Sequence, residues 1–180
     1  MSRDQHNSYL TSLFVVGNYA PIVLQSSVML SYLFWPWGAP RLGLAAWFAG
    51  GSIASICLNI LLKEIIRDPR PVPPPTTNIG SGVWRFDQWG MPSGHMQMSA
   101  FTLSFWYFAG SHLYTGEVCR NLTNWSFGVG ATIILFITAL QRYIYGKHNV
   151  IQLVVGTIIG TGLAYAIVTK GVHRQQSKFL

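Results

Sequence analysis

Acidic side chains are scarce in this chain of 180 residues: there are five, and none follows Glu117. A carboxylate cage for a hard metal ion is therefore difficult to build. Charged residues of both signs make up only 9% of the chain, against about 25% in a typical soluble domain. A water-solvated surface of this size normally needs more charge, so the shortage points to lipid as part of the solvent. The two cysteines, Cys57 in an apolar segment and Cys119 in what reads as a connecting loop, form no CxxC pair and no disulfide framework. No cleavable signal peptide is evident, because the polar start MSRDQHNSY gives the next apolar stretch no basic lead-in.

Apolar residues make up half of the chain, and the formal net charge is +7. A basic balance of this kind fits nucleic acid, an anionic membrane surface or an anionic substrate. Nucleic-acid binders gather Lys and Arg on a soluble face, whereas here they lie mostly between apolar segments. The pattern excludes a nucleic-acid partner and favours a membrane protein with an anionic ligand. The length suits one membrane-embedded domain, residues 1–180, closing in a basic tail over 171–180.

A membrane-spanning helix needs about 20 apolar residues. Leu10–Trp35 is a long, irregular candidate, kinked or tilted, because it holds Asn18, Pro21 and Gln25. Trp35 and Trp37 then read as interface anchors. Further spans are expected over Leu42–Ile66, Pro92–Tyr114, Ser126–Leu140 with its flanks, and Asn149–Thr169. The expected fold class is therefore all-α, a polytopic transmembrane helix bundle of about five spans. Between the second and third spans, RPVPPP and TTNIGSG form a polar loop that no helix can cross. Gly156, Gly160 and Ala164, four residues apart, form a small-residue stripe suited to close helix packing.

Alternating the spans across a bilayer brings four polar points to one membrane face. These are the end of span two, the start of span three, the end of span four and the start of span five. Ionisable groups at such density mark a functional site. Lys63 and Arg70 lie seven residues apart, about two helical turns, so they are expected to project from nearly one helical face and offer a point charge and a planar fork to a phosphoryl group. A juxtamembrane basic anchor would look the same. Arg67 and Asp68 read as a solvated local pair. Pro92-Ser93-Gly94-His95 opens span three, where Pro suits the first turn and free N–H groups attract anions. A capped helix with an interfacial histidine is the plainer reading of that run. Arg142 adds a second guanidinium. His148 could be a nucleophile, a metal ligand or an ordinary interfacial residue, and Gln152 lies on the same helical face one turn on.

Taken in order, K-x6-RP, PSGH and R-x5-H resemble the three signature motifs of the PAP2 (type 2 phosphatidic acid phosphatase) superfamily, over residues 63–152. The run PSGHMQMSAF, with Gln97 just after the motif, resembles the dolichyl diphosphate phosphatases of that family. The resemblance implies a helical bundle that hydrolyses phosphomonoesters or diphosphates with no metal and no other cofactor. It implies that His148 attacks phosphorus and forms a phosphohistidine, and that His95 protonates the leaving oxygen. It assigns the phosphate oxygens to Lys63, Arg70, Ser93, the Gly94 N–H and Arg142. Phosphoryl transfer is mostly positioning and charge stabilisation, which three cations and helix-end N–H groups can supply.

The third motif departs from the family's pattern. Its serine position is Gln141, and the aspartate that would orient the nucleophilic histidine is Gln152. Two expectations follow. One is an active phosphatase in which Gln152, or an acid from elsewhere such as Asp87, orients His148. The other is a catalytically impaired protein that binds a lipid phosphate. A channel or transporter lacks the acidic residues within spans that would carry ions. The substrate is expected to be an isoprenoid diphosphate or a phosphatidate-type lipid. Arg3, Arg67, Arg85 and Lys147 on the site face stand against Arg41, Arg120, Lys170, Arg174 and Lys178 on the other. That balance leans towards a lumenal or external site in an endoplasmic reticulum or plasma membrane. Asn121 and Asn124 begin formal glycosylation sequons in the opposite loop, and use of either would reverse the orientation.

Overall fold

The structure, a computed structural model, describes residues 3–34, 41–72, 88–113 and 117–172. Among these, every regular element is helical, in agreement with the expected all-α class. Helix α1 runs over Arg3–Phe34, α2 over Arg41–Ile66, α3 over Gly94–Leu113, α4 over Glu117–Ile144 and α5 over Val150–Ile167. A π-helical turn, Val168–Val172, extends α5. Helix α1 is continuous through Pro21. Among the described residues two stretches, Gly43–Ile66 and Val150–Gly171, are long and apolar enough to cross a membrane.

Helix α4 begins earlier than the hydropathy pattern indicates. Cys119, Asn121 and Asn124 therefore lie within a helix and not in a loop. The physical reason is local: no Gly or Pro interrupts residues 117–127, and Glu117 sits where a helix N-terminus favours negative charge. Trp35, Trp37, Arg85, Asp87 and residues 173–180 of the tail lie outside the described residues, as does 73–87 of the polar loop.

Helix α3 is the centre of the bundle. It packs most extensively on α5, and the small-residue stripe is the reason. A Cβ on Gly156 would fall 2.6 Å from the Ser93 carbonyl oxygen, and one on Gly160 would run into the Gln97 backbone. The stripe thus serves close packing. At one end of the bundle Phe48, Phe101 and Phe105 form a buried aromatic core with Val28, Leu44, Ala164 and Val168. Tyr32 stacks on Trp106 at its border, with ring centroids 5.7 Å apart.

Polar residues fill the interior between that core and the other end. Gln97 is fully buried and donates to the Ser55 carbonyl at 2.8 Å and to its hydroxyl at 3.1 Å. Asn59 donates to Gln97 Oε1 at 2.8 Å and to the Pro92 carbonyl at 3.3 Å. Large apolar side chains such as Ile22, Ile53, Leu61, Ile65, Phe136, Ile151 and Ile158 point outwards and are exposed.

Candidate functional site

The polar end of the bundle gathers the end of α2, the start of α3, the end of α4 and the start of α5. Each end has its own local cause. Helix α2 stops because Arg67 turns left-handed, at φ 51°, and Pro69 has no N–H to continue the ladder. Arg70 therefore lies beyond the helix, which corrects the expectation that it projects from the same helical face as Lys63. The following chain is strapped down on both sides. Gly90 N donates to the Asp68 carbonyl at 2.7 Å, and Val72 N donates to the Gly146 carbonyl at 3.0 Å. Pro69 and Trp89 form an antiparallel bridge.

Pro92 and Ser93 precede α3 and are not in its first turn; the peptide bond from Met91 to Pro92 is cis. The Ser93 carbonyl accepts the first helical bond from Gln97 N at 2.9 Å, and Ser93 N donates to the Gln152 carbonyl at 3.1 Å. The Ser93 side chain is fully buried, yet its hydroxyl has no hydrogen-bond partner among the described residues. A buried hydroxyl left in this way is costly and fits a place for a bound oxyanion. Gly94 lies against Asn59, 3.2 Å from its Oδ1 to a Cβ built on the glycine.

Helix α4 closes with Gly146 at φ 61°. Gly146 N donates to the Tyr143 carbonyl at 2.9 Å and Lys147 N to the Arg142 carbonyl at 3.0 Å. This pair of bonds is a Schellman closure. It turns the chain sharply, so that His148 N also reaches the Arg142 carbonyl, at 3.3 Å. Helix α5 then starts at once with a capping box. Asn149 Oδ1 accepts from Gln152 N at 2.9 Å, and Gln152 Oε1 accepts from Asn149 N at 3.1 Å.

The two histidines lie within this frame. Arg142 Nη2 donates to His95 Nδ1 at 2.7 Å, and His95 Nε2 lies 3.2 Å from the Asn18 carbonyl of α1. His148 is buried, with Nδ1 3.3 Å from Gln152 Oε1. Lys63, Arg70 and Arg142 act electrostatically on both histidines. Burial first, then the charges of Arg142, Arg70 and Lys63, push His148 down from 6.5 to about 3, against a small upward pull from the Gln152 hydrogen bond. His148 therefore rests as neutral imidazole, the form that has a lone pair to give.

All eight residues singled out in the sequence (Lys63, Arg70, Ser93, Gly94, His95, Arg142, His148 and Gln152) thus lie at this end of the bundle. Two further residues join them without a sequence signal. Asn18 is one, through its carbonyl. Asp68 is the other: its Oδ2 accepts from Gln152 Nε2 at 2.5 Å. This corrects the reading of Arg67 and Asp68 as a solvated pair. Arg67 turns its Nε to the Glu64 carbonyl at 2.9 Å instead. The left-handed turn at Arg67 separates the two side chains. Among the described residues, no group of three His, Cys, Asp or Glu could hold a metal ion.

Three cations and two histidines thus gather where the helix ends meet. The chain belongs to the PAP2 superfamily, whose profile matches residues 44–176. Among curated proteins, it is similar to dolichyldiphosphatase 1 of Homo sapiens, with 27% identity over 123 residues, which cover 66% of this chain and 49% of that protein. Over the same shares of each chain, the corresponding proteins of Rhinolophus ferrumequinum and Mus musculus are 25% and 26% identical. The chain spans about half the length of these curated relatives. No solved structure matches it significantly.

Proposed function

We propose that this protein is an integral-membrane lipid phosphatase that hydrolyses a diphosphate or phosphomonoester lipid through a phosphohistidine, without a metal. The observation that carries the reading is the convergence on two histidines of Lys63, Arg70, Arg142 and the Ser93 hydroxyl, which has no partner among the described residues. The family, the relatives' name and an exposed apolar exterior around a polar interior support it. In this reading about five helices span the bilayer and the site lies at one membrane face. The membrane is of endoplasmic reticulum type, and the site faces the lumen or the exterior.

The chemistry then runs in two displacements. His148 Nε2 gives its lone pair to phosphorus as the bridging P–O bond breaks. The electron pair stays on the leaving oxygen, which takes a proton from His95. Lys63, Arg70, Arg142, Ser93 Oγ and the Gly94 N–H hold the other phosphate oxygens. Water then attacks phosphorus, the N–P bond breaks with its electrons returning to Nε2, and His95 takes up the proton from water. Arg142 now donates to His95 Nδ1. When the guanidinium turns to phosphate, Nδ1 is free to take a proton from solvent, which readies His95 as the acid.

The substrate favoured by the relatives' name is a polyisoprenyl diphosphate such as dolichyl diphosphate. The test is phosphate release by the purified protein from dolichyl diphosphate and from phosphatidate, with and without a chelator. Release that survives chelation and is abolished in His148→Ala is expected. Release that is equally fast in His148→Ala, or none from either lipid, would contradict the reading.

A further inference from the structure

In the family's third motif, an acidic residue stands four positions after the histidine; here Gln152 stands there. Gln152 is fully buried, and every hydrogen-bonding site of its side chain is used. Nε2 has two protons. One goes to Asp68 Oδ2 at 2.5 Å and the other to the Pro69 carbonyl at 2.9 Å. Oε1 has two lone pairs. One accepts from Asn149 N at 3.1 Å, and the other faces His148 Nδ1 at 3.3 Å.

This arrangement fixes the amide in one orientation. A carboxylate and a backbone carbonyl can only accept, and the Asn149 N–H can only donate. Turning the amide over would oppose oxygen to oxygen on one side and N–H to N–H on the other. Oε1 must therefore face His148, so His148 Nδ1 carries the proton and Nε2 keeps its lone pair. A residue that served only as a helix cap would need Oε1 towards Asn149 and nothing more. The contacts to Asp68 and Pro69 call for another explanation.

We propose that Asp68 is the positioning carboxylate for His148 and acts through the Gln152 amide, in the line His148 Nδ1–H to Gln152 Oε1 and Gln152 Nε2–H to Asp68 Oδ2. The role in catalysis rests on the reading of His148 as nucleophile; the hydrogen-bonded line does not. As His148 forms its bond to phosphorus the ring gains positive charge. The Nδ1 proton then bonds more strongly to Oε1, and the amide is polarised by the carboxylate behind it, since linked hydrogen bonds reinforce one another. The negative charge missing at residue 152 is thus supplied from residue 68, at one remove.

The surroundings are built to hold this carboxylate. The Asp68 carbonyl is pinned by Gly90 N at 2.7 Å. Gly90 packs directly on the amide, where a Cβ would fall 2.6 Å from Gln152 Cδ. An acidic residue at 152 could not donate to Asp68 and would repel it. Glutamine has both the reach and the paired donor and acceptor that the line requires.

The experiment compares wild type, Asp68→Asn and Asp68→Glu in detergent micelles, by proton and nitrogen magnetic resonance of the histidine rings and by phosphate release from dolichyl diphosphate. Wild type is expected to show His148 protonated on Nδ1, with that proton shifted downfield. In Asp68→Asn the proton moves upfield, and kcat falls about 10- to 100-fold, by analogy with the partners behind metal-bound histidines, with KM changed less than about threefold. Asp68→Glu, which keeps the carboxylate, retains the downfield proton. An unchanged Nδ1 proton in Asp68→Asn, or a wild-type His148 protonated on Nε2, overturns the proposal. Failure of the phosphatase reading would look different: wild type would release no phosphate, while the ring proton would still decide the line from His148 to Asp68.

Discussion

Arg142 donates to Nδ1 of His95 at 2.7 Å, and this one contact sets the resting state of the ring. A guanidinium only donates, so Nδ1 accepts and the ring proton sits on Nε2, directed at the Asn18 carbonyl 3.2 Å away. His148 carries its proton on the opposite nitrogen, Nδ1, facing Gln152. The two histidines are thus held as opposite neutral tautomers by neighbours that leave no choice. Under the proposed mechanism Arg142 has two tasks, holding His95 at rest and phosphate in the reaction. Arg142→Lys keeps the charge but loses the planar fork. Its kcat/KM is expected to fall by roughly 10²- to 10³-fold, as for loss of an oxyanion donor, in steady-state phosphate release.

Ser93→Ala separates binding from folding. The hydroxyl is buried and makes no bond among the described residues, so its removal leaves thermal stability unchanged or slightly raised. A hydrogen bond to a charged group contributes roughly 1.5–3 kcal/mol. Affinity for phosphate or a substrate analogue is therefore expected to drop about 10- to 100-fold, measured by calorimetric titration.

The glycines of α5 differ in what they permit. A Cβ on Gly160 would fall 2.9 Å from Phe101 N, whereas one on Gly162 would meet nothing within 4 Å. Gly160→Val is expected to lower stability by more than about 1–3 kcal/mol, the usual range for overpacking. Gly162→Ala is expected to be neutral or stabilising by up to about 1 kcal/mol from helix propensity. Thermal unfolding in detergent checks both.

The charge state of His148 ties stability to pH. Its folded value lies near 3, below the ordinary 6.5. The unfolded chain therefore binds a proton in that interval that the folded chain does not, and stability falls as pH drops through it. Above 6.5 both states are neutral and the effect vanishes. The unfolding temperature of wild type should fall more steeply than that of His148→Asn between pH 6.5 and mildly acid conditions.

The helices and the four polar helix ends were legible because long apolar runs and clustered charges are local signals. The small-residue stripe on α5 was legible for the same reason. What stayed hidden was contact across distance. Asp68 and Gln152 are separated by 84 residues, and nothing local tells Asp68 to leave Arg67 and turn inwards. That turn comes from the left-handed backbone at Arg67 and the strap from Gly90. Asn18 reads as an irregularity in an apolar helix, because it serves through its backbone carbonyl, which every residue has. The contact of the Gln152 amide with the Asp68 carboxylate is of the same kind, since no local pattern announces it.

The central claim is that His148 becomes covalently phosphorylated. The most direct measurement is to mix the protein with radiolabelled lipid diphosphate, quench in alkali within one turnover and map the labelled peptide. A label stable to base, labile to acid, located on His148 and missing from His148→Ala is the predicted result. Phosphate release by wild type with no label on His148, or with the same label in His148→Ala, would contradict it.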